Sequence, residues 1–122
     1  MVNTALIKIF THLRKTLQIY EPQLIKVSDI ENNYYLYTPF VNRYKKEMLF
    51  GAVKMNKYDV SFYLMPVYYF PELKSIASES LKLKLNEEAC FNFEVFENGL
   101  FEELADLTHI GFEKYRFEKF LQ

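Results

Sequence analysis

The apolar residues of this chain follow a helical period near both ends and a two-residue period between them. Near each terminus they recur at steps of three and four residues, which predicts an amphipathic helix. The first stripe is Leu6, Ile9, Phe10, Leu13, Leu17 and Tyr20, and the second is Phe101, Leu104, Thr108, Gly111, Phe112 and Tyr115. Two helices that flank a run of strands favour a layer of helices packed on a sheet.

Four segments between the helices have the composition of β-strands. They are residues 34–38, 45–55, 58–65 and 89–96. In the third, one face should carry Tyr58, Val60, Phe62 and Leu64, and the other Asp59, Ser61, Tyr63 and Met65. Residues 23–33 read as a connector with a short extended piece at most.

Turn and capping residues mark the remaining boundaries. Asn56 and Lys57 predict a hairpin turn, because Asn tolerates a positive φ. Pro71 favours a short helix over residues 72–77. Ser78 or Ser80 is expected to cap another short helix over residues 78–85, and Asn98 to cap the last helix. The sequence thus predicts one α+β domain spanning residues 1–122. Its antiparallel sheet has about four to five strands, and its N- and C-terminal helices pack on one face.

Composition excludes several classes of protein. Twelve Phe and ten Tyr among 122 residues predict an aromatic core with tyrosine hydroxyls at the surface. A single cysteine excludes an intrachain disulfide and a cysteine-only metal site, and it favours a reduced, cytoplasmic protein. The longest apolar run, residues 62–70, is too short to cross a bilayer, so no membrane partner is expected.

Charge is divided unevenly along the chain. Residues 1–84 contain 12 Lys and Arg against 7 Asp and Glu, and residues 85–122 contain 3 against 9. Either the two terminal helices complement each other, or the acidic end presents a face to a cation or a basic partner. Residues 49–55 lack the basic and aromatic positions of an RNA-binding strand, and no nucleic-acid partner is expected.

Five separated blocks resemble the YdhG-like domain-of-unknown-function family. They are residues 60–68 (VSFYLMPVY), 71–74 (PELK), 81–84 (LKLK), 89–93 (ACFNF) and 111–115 (GFEKY). The resemblance implies a compact α+β fold related in shape to frataxin, and a relative described as a frataxin-like iron chaperone makes iron a candidate cofactor. Where the family often has a Gly-Lys loop, this chain has Asn86-Glu87-Glu88, so anion binding is not expected there.

The last helix carries a line of candidate metal ligands. Glu102, Asp106, His109 and Glu113 are spaced four, three and four residues apart, which aligns them on one helical face. Carboxylates and imidazoles are ligands for iron, manganese and zinc. The alternative is a solvated face opposite the apolar stripe.

A second candidate site combines aromatic residues with the single thiol. Seven aromatic residues surround the middle strands, namely Tyr34, Tyr35, Tyr37, Tyr63, Tyr68, Tyr69 and Phe70. They should either form a binding surface or be covered by the short helices of residues 72–85. The residues expected to bind a small molecule or protein partner are Tyr63, Tyr68, Cys90 and Asn92.

No catalytic set of residues is recognised in the sequence. Cys90 would need a nearby base to act as a nucleophile, and the sequence places neither His12 nor His109 beside it. The expected function is therefore a non-catalytic binding module, monomeric or homodimeric, that uses the aromatic surface. The alternative is an iron-binding chaperone that uses the acids of the last helix.

Overall fold

The computed structural model describes residues 4–41, 47–87 and 89–121. Helix α1 (Thr4–Gln18) is followed by a short 3-10 turn (Glu21–Gln23) and the strands β1 (Ile25–Ile30), β2 (Asn33–Val41), β3 (Glu47–Met55) and β4 (Val60–Leu64). Three short helices come next: α2 (Pro66–Tyr69), α3 (Glu72–Ile76) and α4 (Glu79–Lys82). The chain continues through β5 (Leu85–Asn86) and β6 (Cys90–Phe93) into the long helix α5 (Asn98–Phe117).

Within the described residues, the strands form one six-stranded antiparallel sheet in the order β1-β2-β3-β4-β6-β5. The α+β prediction is confirmed, but the expected four to five strands were too few. Strand β1 was not predicted because residues on both of its faces are largely exposed. It therefore lacks the alternation of apolar and polar residues that marks a half-buried strand. Strand β5 was not predicted because two residues are too few to show any period.

The two long helices cover one face of this sheet. The apolar stripes predicted for α1 and α5 are buried, and they meet the fully buried side chains of the strands. On β4, Val60, Phe62 and Leu64 point into this core, as predicted. The prediction was wrong for Tyr58, which precedes the strand and is 75 % exposed. The close approach of α1 depends on a glycine, because a Cβ on Gly51 would lie 2.8 Å from Leu17 Cδ2. We call this side the helix face and the other side the open face.

The short helices pack on α5 rather than across the open face. Pro66 of α2 lies against Gly111 of α5, where an added Cβ would come within 2.8 Å of the proline ring. The Ser78 backbone N–H and hydroxyl both donate to the Glu103 carboxylate, at 2.6 Å each. The contact of Ser78 with Glu103 places this part of residues 72–85 against α5, whereas the alternative had them cover the aromatic residues of the sheet.

Several predicted boundaries differ from the structure. Strand β2 continues past Pro39. The pairing with β1 ends at Tyr37, so beyond that residue β2 has no hydrogen bonds to β1 that a proline would remove. Strand β6 ends at Phe93, earlier than predicted. Asn98 does not cap α5, since the cap position is Glu97 and no side chain caps it. The predicted start of the second strand, at residue 45, lies outside the described residues.

Other local predictions are confirmed. Ser78 caps α4, and its hydroxyl accepts a hydrogen bond from the backbone N–H of Leu81 at 3.1 Å. The chain turns between β3 and β4 as predicted, but over residues 56–59, where the backbone N–H of Asn56 donates to the Asp59 carbonyl. The positive φ expected of Asn56 is not found. None of the described helices has the length and apolar content that a membrane span requires.

The long helices form ion pairs with other elements of the fold. Arg14 of α1 pairs with Asp29 of β1, and Lys114 of α5 pairs with Glu72 of α3. The first ion pair joins α1 to the sheet, and the second joins α5 to the short helix α3. They do not supply the contact between the basic first helix and the acidic last helix that the charge distribution suggested.

Candidate functional site

Cross-strand pairing arranges the open face in rows. The central row runs across all six strands and consists of Ser28, Tyr35, Ala52, Tyr63, Cys90 and Asn86. Ala52 and Cys90 are buried although they lie on this face, since larger neighbours stand over them. Tyr35 and Tyr63 are half-buried. In this row the small buried side chains of Ala52 and Cys90 therefore alternate with the larger side chains of Tyr35 and Tyr63.

A groove of about 460 Å³ opens where this row meets the end of β4. Its lining is mainly apolar and comes from β3, β4, α2 and the start of β6. The lining residues are Leu49, Tyr63, Met65, Tyr68, Glu87, Ala89 and Cys90. Leu49 faces the groove because a bulge in β3 turns both Phe50 and Gly51 toward the helix face.

A chain of polar side chains continues from the groove along β4 and β6. The Ser61 hydroxyl donates to Asn92 Oδ1 at 2.7 Å, and the Cys90 thiol donates to the same oxygen at 3.6 Å. Asn56 Nδ2 donates to Ser61 Oγ at 2.8 Å and to Asp59 Oδ1 at 2.7 Å. This network holds Asn92 and the thiol in fixed orientations, because each donor is matched with an acceptor.

Burial keeps the two titratable groups of the groove floor neutral. Burial and the neighbouring Cys90 raise the pKa of the Tyr63 hydroxyl to about 12, so at neutral pH the hydroxyl is protonated and able to donate a hydrogen bond. Burial also raises the pKa of the Cys90 thiol, and the neighbouring hydroxyls of Ser61 and Tyr63 partly oppose the rise. A protonated thiol is a weak nucleophile.

Neither histidine is placed to activate Cys90. His12 lies on α1 and packs against the rings of Phe96 and Phe101, with centroids 5.2 and 5.3 Å away. His109 lies on α5. Both helices belong to the helix face, and the Cys90 side chain belongs to the open face. The sheet therefore separates the thiol from these two imidazoles.

The turn between β5 and β6 contains a strained residue at the edge of the groove. Glu87 has a φ of 61°, in the left-handed region that favours glycine. The carboxylate of Glu87 thus adds a negative charge to the rim of an otherwise apolar groove.

The predicted binding residues come together in this site. Tyr63, Tyr68 and Cys90 line the groove, and Asn92 bonds to Cys90 from the adjacent position on the open face. Four further lining residues were not predicted, namely Leu49, Met65, Glu87 and Ala89. Strand alternation had placed Met65 beside Tyr63, but nothing in the sequence gave the register that adds Leu49.

The wider aromatic set is divided between the two faces. Tyr34 is fully buried in the core on the helix face, and Phe70 packs near Tyr115 and Phe120. Tyr35 and Tyr37 lie on the open face of β2, and strand β3 separates them from Tyr63. The aromatic surface predicted from the sequence is thus smaller than the seven residues named for it.

The candidate metal ligands remain spread along α5. Glu102 and Glu113 are separated by 11 positions, or about 16 Å along a helix. Asn98 Nδ2 donates to Glu102 Oε1, and the Glu113 carboxylate pairs with Arg116. Among residues 4–41, 47–87 and 89–121, no group of three or more His, Cys, Asp or Glu side chains is arranged to hold a metal ion. The iron-binding alternative thus has no preformed centre in the described part of the chain.

Comparisons of this chain with protein-family models, with curated proteins and with solved structures find no match. Membership of the YdhG-like family therefore stays a prediction from the five sequence blocks. The chemistry of the groove has to be inferred from its own residues.

Proposed function

We propose that the groove between β3, β4, α2 and β6 binds a small molecule with a flat apolar body and a polar group. The observation that carries this proposal is an apolar wall that adjoins two polar groups. Leu49, Met65 and Tyr68 supply the wall, and the half-buried Tyr63 and the exposed Glu87 supply the polar groups. Small-molecule sites typically combine apolar lining with a few placed polar groups, and have volumes of roughly 300–1,000 Å³.

The rim favours a ligand that carries a hydrogen-bond donor or a positive charge. Glu87 is exposed, and its carboxylate borders the groove beside Tyr63 and Cys90. An ionised carboxylate accepts hydrogen bonds and cannot donate them. We therefore expect molecules such as aromatic amines or N–H heterocycles to bind better than carboxylates of the same size.

A binding role without catalysis fits the chemistry of the groove floor. The thiol is protonated and buried, and both histidines belong to the helix layer on the other side of the sheet. A nucleophile requires an adjacent base or a lowered pKa. The groove can hold and orient a molecule, and its described residues offer no means of activating the thiol.

Nuclear magnetic resonance titration tests this proposal directly. The ¹⁵N-labelled protein is titrated with indole, which is flat, apolar and carries one N–H donor. We expect saturable shifts of the backbone amides of Tyr63, Ala89 and Cys90. Tyr63→Ala and Tyr68→Ala should each weaken the binding about tenfold, because each removes an aromatic contact surface.

The matched control is Tyr58→Ala. Tyr58 is 75 % exposed in the turn before β4, at the end of the strand away from the groove, and its loss should leave indole binding unchanged. Circular dichroism of all three variants checks that they fold. Amide shifts confined to other surfaces, or equal affinity in wild type and in folded Tyr63→Ala, would count against the proposal.

A further inference from the structure

Strand β1 is an edge of the sheet with exposed apolar side chains. Ile25, Val27 and Ile30 are 47, 55 and 59 % exposed. The strand is six residues long, whereas β5 at the opposite edge has only two. A sheet edge presents unpaired backbone N–H and C=O groups that another strand can bond to.

A bulge in β1 makes the strand symmetric about its centre. Ile25 and Ile30 are five positions apart and would point to opposite faces of a regular strand. The register shift between Lys26 and Ser28 inserts one residue, so that both isoleucines pair with residues of the open face of β2, Tyr37 and Asn33. Lys26 and Asp29 both pair with residues of the helix face, Leu36 and Tyr34.

This order is self-complementary in an antiparallel arrangement. When two copies of β1 run antiparallel about a two-fold axis at Val27 and Ser28, Ile25 of one copy lies opposite Ile30 of the other. Lys26 of one copy then lies opposite Asp29 of the other. Isologous two-fold interfaces require this kind of reciprocity. Directly opposite Cβ atoms in such a ladder are about 4.5–5.5 Å apart, within reach of an ion pair.

We propose that β1 is a self-association edge through which two copies of this chain form an antiparallel dimer. The two sheets then become one continuous sheet, with both helix layers on one side and both open faces on the other. The proposal concerns the edge of the sheet and does not depend on the groove binding a small molecule.

The charges on β1 favour a second copy over other strands. Asp29 is held in place by Arg14, whose Nε and Nη2 donate to its two oxygens at 3.1 and 2.7 Å. Lys26 retains 42 % side-chain exposure despite contacts of 3.4 Å to Glu21 and Asp29. Bulges and charges on a sheet edge hinder its pairing with other strands in general. A second β1 has the same bulge, and in the antiparallel pair it places a residue of opposite charge against each charged residue of the first.

Mixing two single variants tests the register of this dimer. Ile25→Glu and Ile30→Lys each place a charge opposite an isoleucine in their own homodimers, and each should weaken self-association about tenfold. In the mixed dimer, Glu at position 25 lies opposite Lys at position 30, and the second isoleucine pair is intact. Sedimentation equilibrium should therefore show a heterodimer stronger than either homodimer.

Two controls make the result specific. Ile76→Lys replaces an isoleucine of α3 that is 56 % exposed away from the edge, and it should dimerise like wild type. A mixture of Ile25→Glu with Ser28→Lys places the lysine out of register and should not recover the dimer. A wild-type chain that stays monomeric up to about 1 mM would overturn the proposal. The proposal would also be overturned if Ile25→Glu and Ile30→Lys were folded by circular dichroism and self-associated as strongly as wild type.

Discussion

At the scale of single residues, position within the sheet determines chemistry. Cys90 is 7 % exposed although it belongs to the open face, because Tyr63 lies opposite it on β4 and Asn92 fixes the thiol hydrogen bond. The same residue on an unpaired strand end would be a solvated thiol. Its neighbours therefore make it part of a groove floor rather than a reactive group.

We expect Cys90 to react slowly with iodoacetamide in the native protein. The raised pKa keeps the thiol protonated at pH 7, and burial limits access, so the rate should be at least about tenfold below that of free cysteine. Mass spectrometry of quenched samples measures the rate, and the same reaction in urea gives the unfolded reference. A native rate above that of free cysteine would assign Cys90 a nucleophilic role.

At the scale of elements, helix α5 organises one end of the molecule. It packs against α1 and the sheet through its buried stripe, and α2 and α4 pack against it. Two glycines of this helix have opposite surroundings. Gly111 lies against the rigid ring of Pro66, whereas nothing lies within 4 Å of a Cβ placed on Gly99.

The two glycines give a matched pair of substitutions. Gly111→Ala should lower the free energy of unfolding by about 1–3 kcal/mol, because the proline ring cannot move away from a new Cβ. Gly99→Ala should raise it by about 0.5 kcal/mol, since alanine favours the helix and meets no neighbour. Urea denaturation of both variants measures the changes. A loss of stability in Gly99→Ala as large as in Gly111→Ala would show that close packing on Pro66 is not the cause.

At the scale of the whole molecule, a charged cluster joins α1 to the β1 edge and to the preceding turn. Asp29 accepts two hydrogen bonds from Arg14, and the Tyr34 hydroxyl donates a short hydrogen bond to Glu21. The guanidinium of Arg14 also lies 4.6 Å from the centre of the Tyr34 ring. These contacts tie the first helix to both strands of the first hairpin.

This cluster should make stability depend on pH in the acid range. The hydrogen bond from Arg14 lowers the pKa of Asp29, and that from Tyr34 lowers the pKa of Glu21. Groups with a lowered pKa in the folded state stabilise it above their unfolded pKa, about 4, and this contribution is lost as the pH falls through their folded pKa. We expect the free energy of unfolding to fall as the pH drops below about 4.

Substitution of either partner isolates the contribution of Asp29. Asp29→Asn and Arg14→Gln should each cost up to about 1 kcal/mol at pH 7, because the pair is partly exposed to solvent. Both should also flatten the acid limb of a thermal-melting profile between pH 7 and pH 3. An acid limb as steep as that of wild type in both variants would assign the pH dependence to other carboxylates.

Much of the fold could be predicted because it depends on local patterns. The stripes of α1 and α5, the alternation along β4 and the Ser78 cap follow from residues within a few positions of one another, and the structure confirms them. Strand β1 could not be predicted, since an exposed edge strand has no buried face to impose a period. The α+β class therefore followed from the sequence, and the six-strand order did not.

The candidate site shows the same division. Tyr63, Tyr68, Cys90 and Asn92 were predicted as binding residues from their types and their strand positions. Their assembly into one groove depends on the pairing of β4 with β6, and the addition of Leu49 depends on the bulge in β3. Neither the register nor the bulge can be predicted from a short segment of the sequence.

The sequence by itself determined which segments are amphipathic, which side chains fill the core and which residue types can carry chemistry. Those properties depend on the spacing of apolar residues along the chain. Only the tertiary structure decided that the short helices leave the open face to the tyrosines, and that Cys90 lies beneath them on the side away from both histidines. It also decided that Ile25 and Ile30 share one face of β1. These outcomes depend on strand register and bulges, which are set by contacts between residues far apart in the chain.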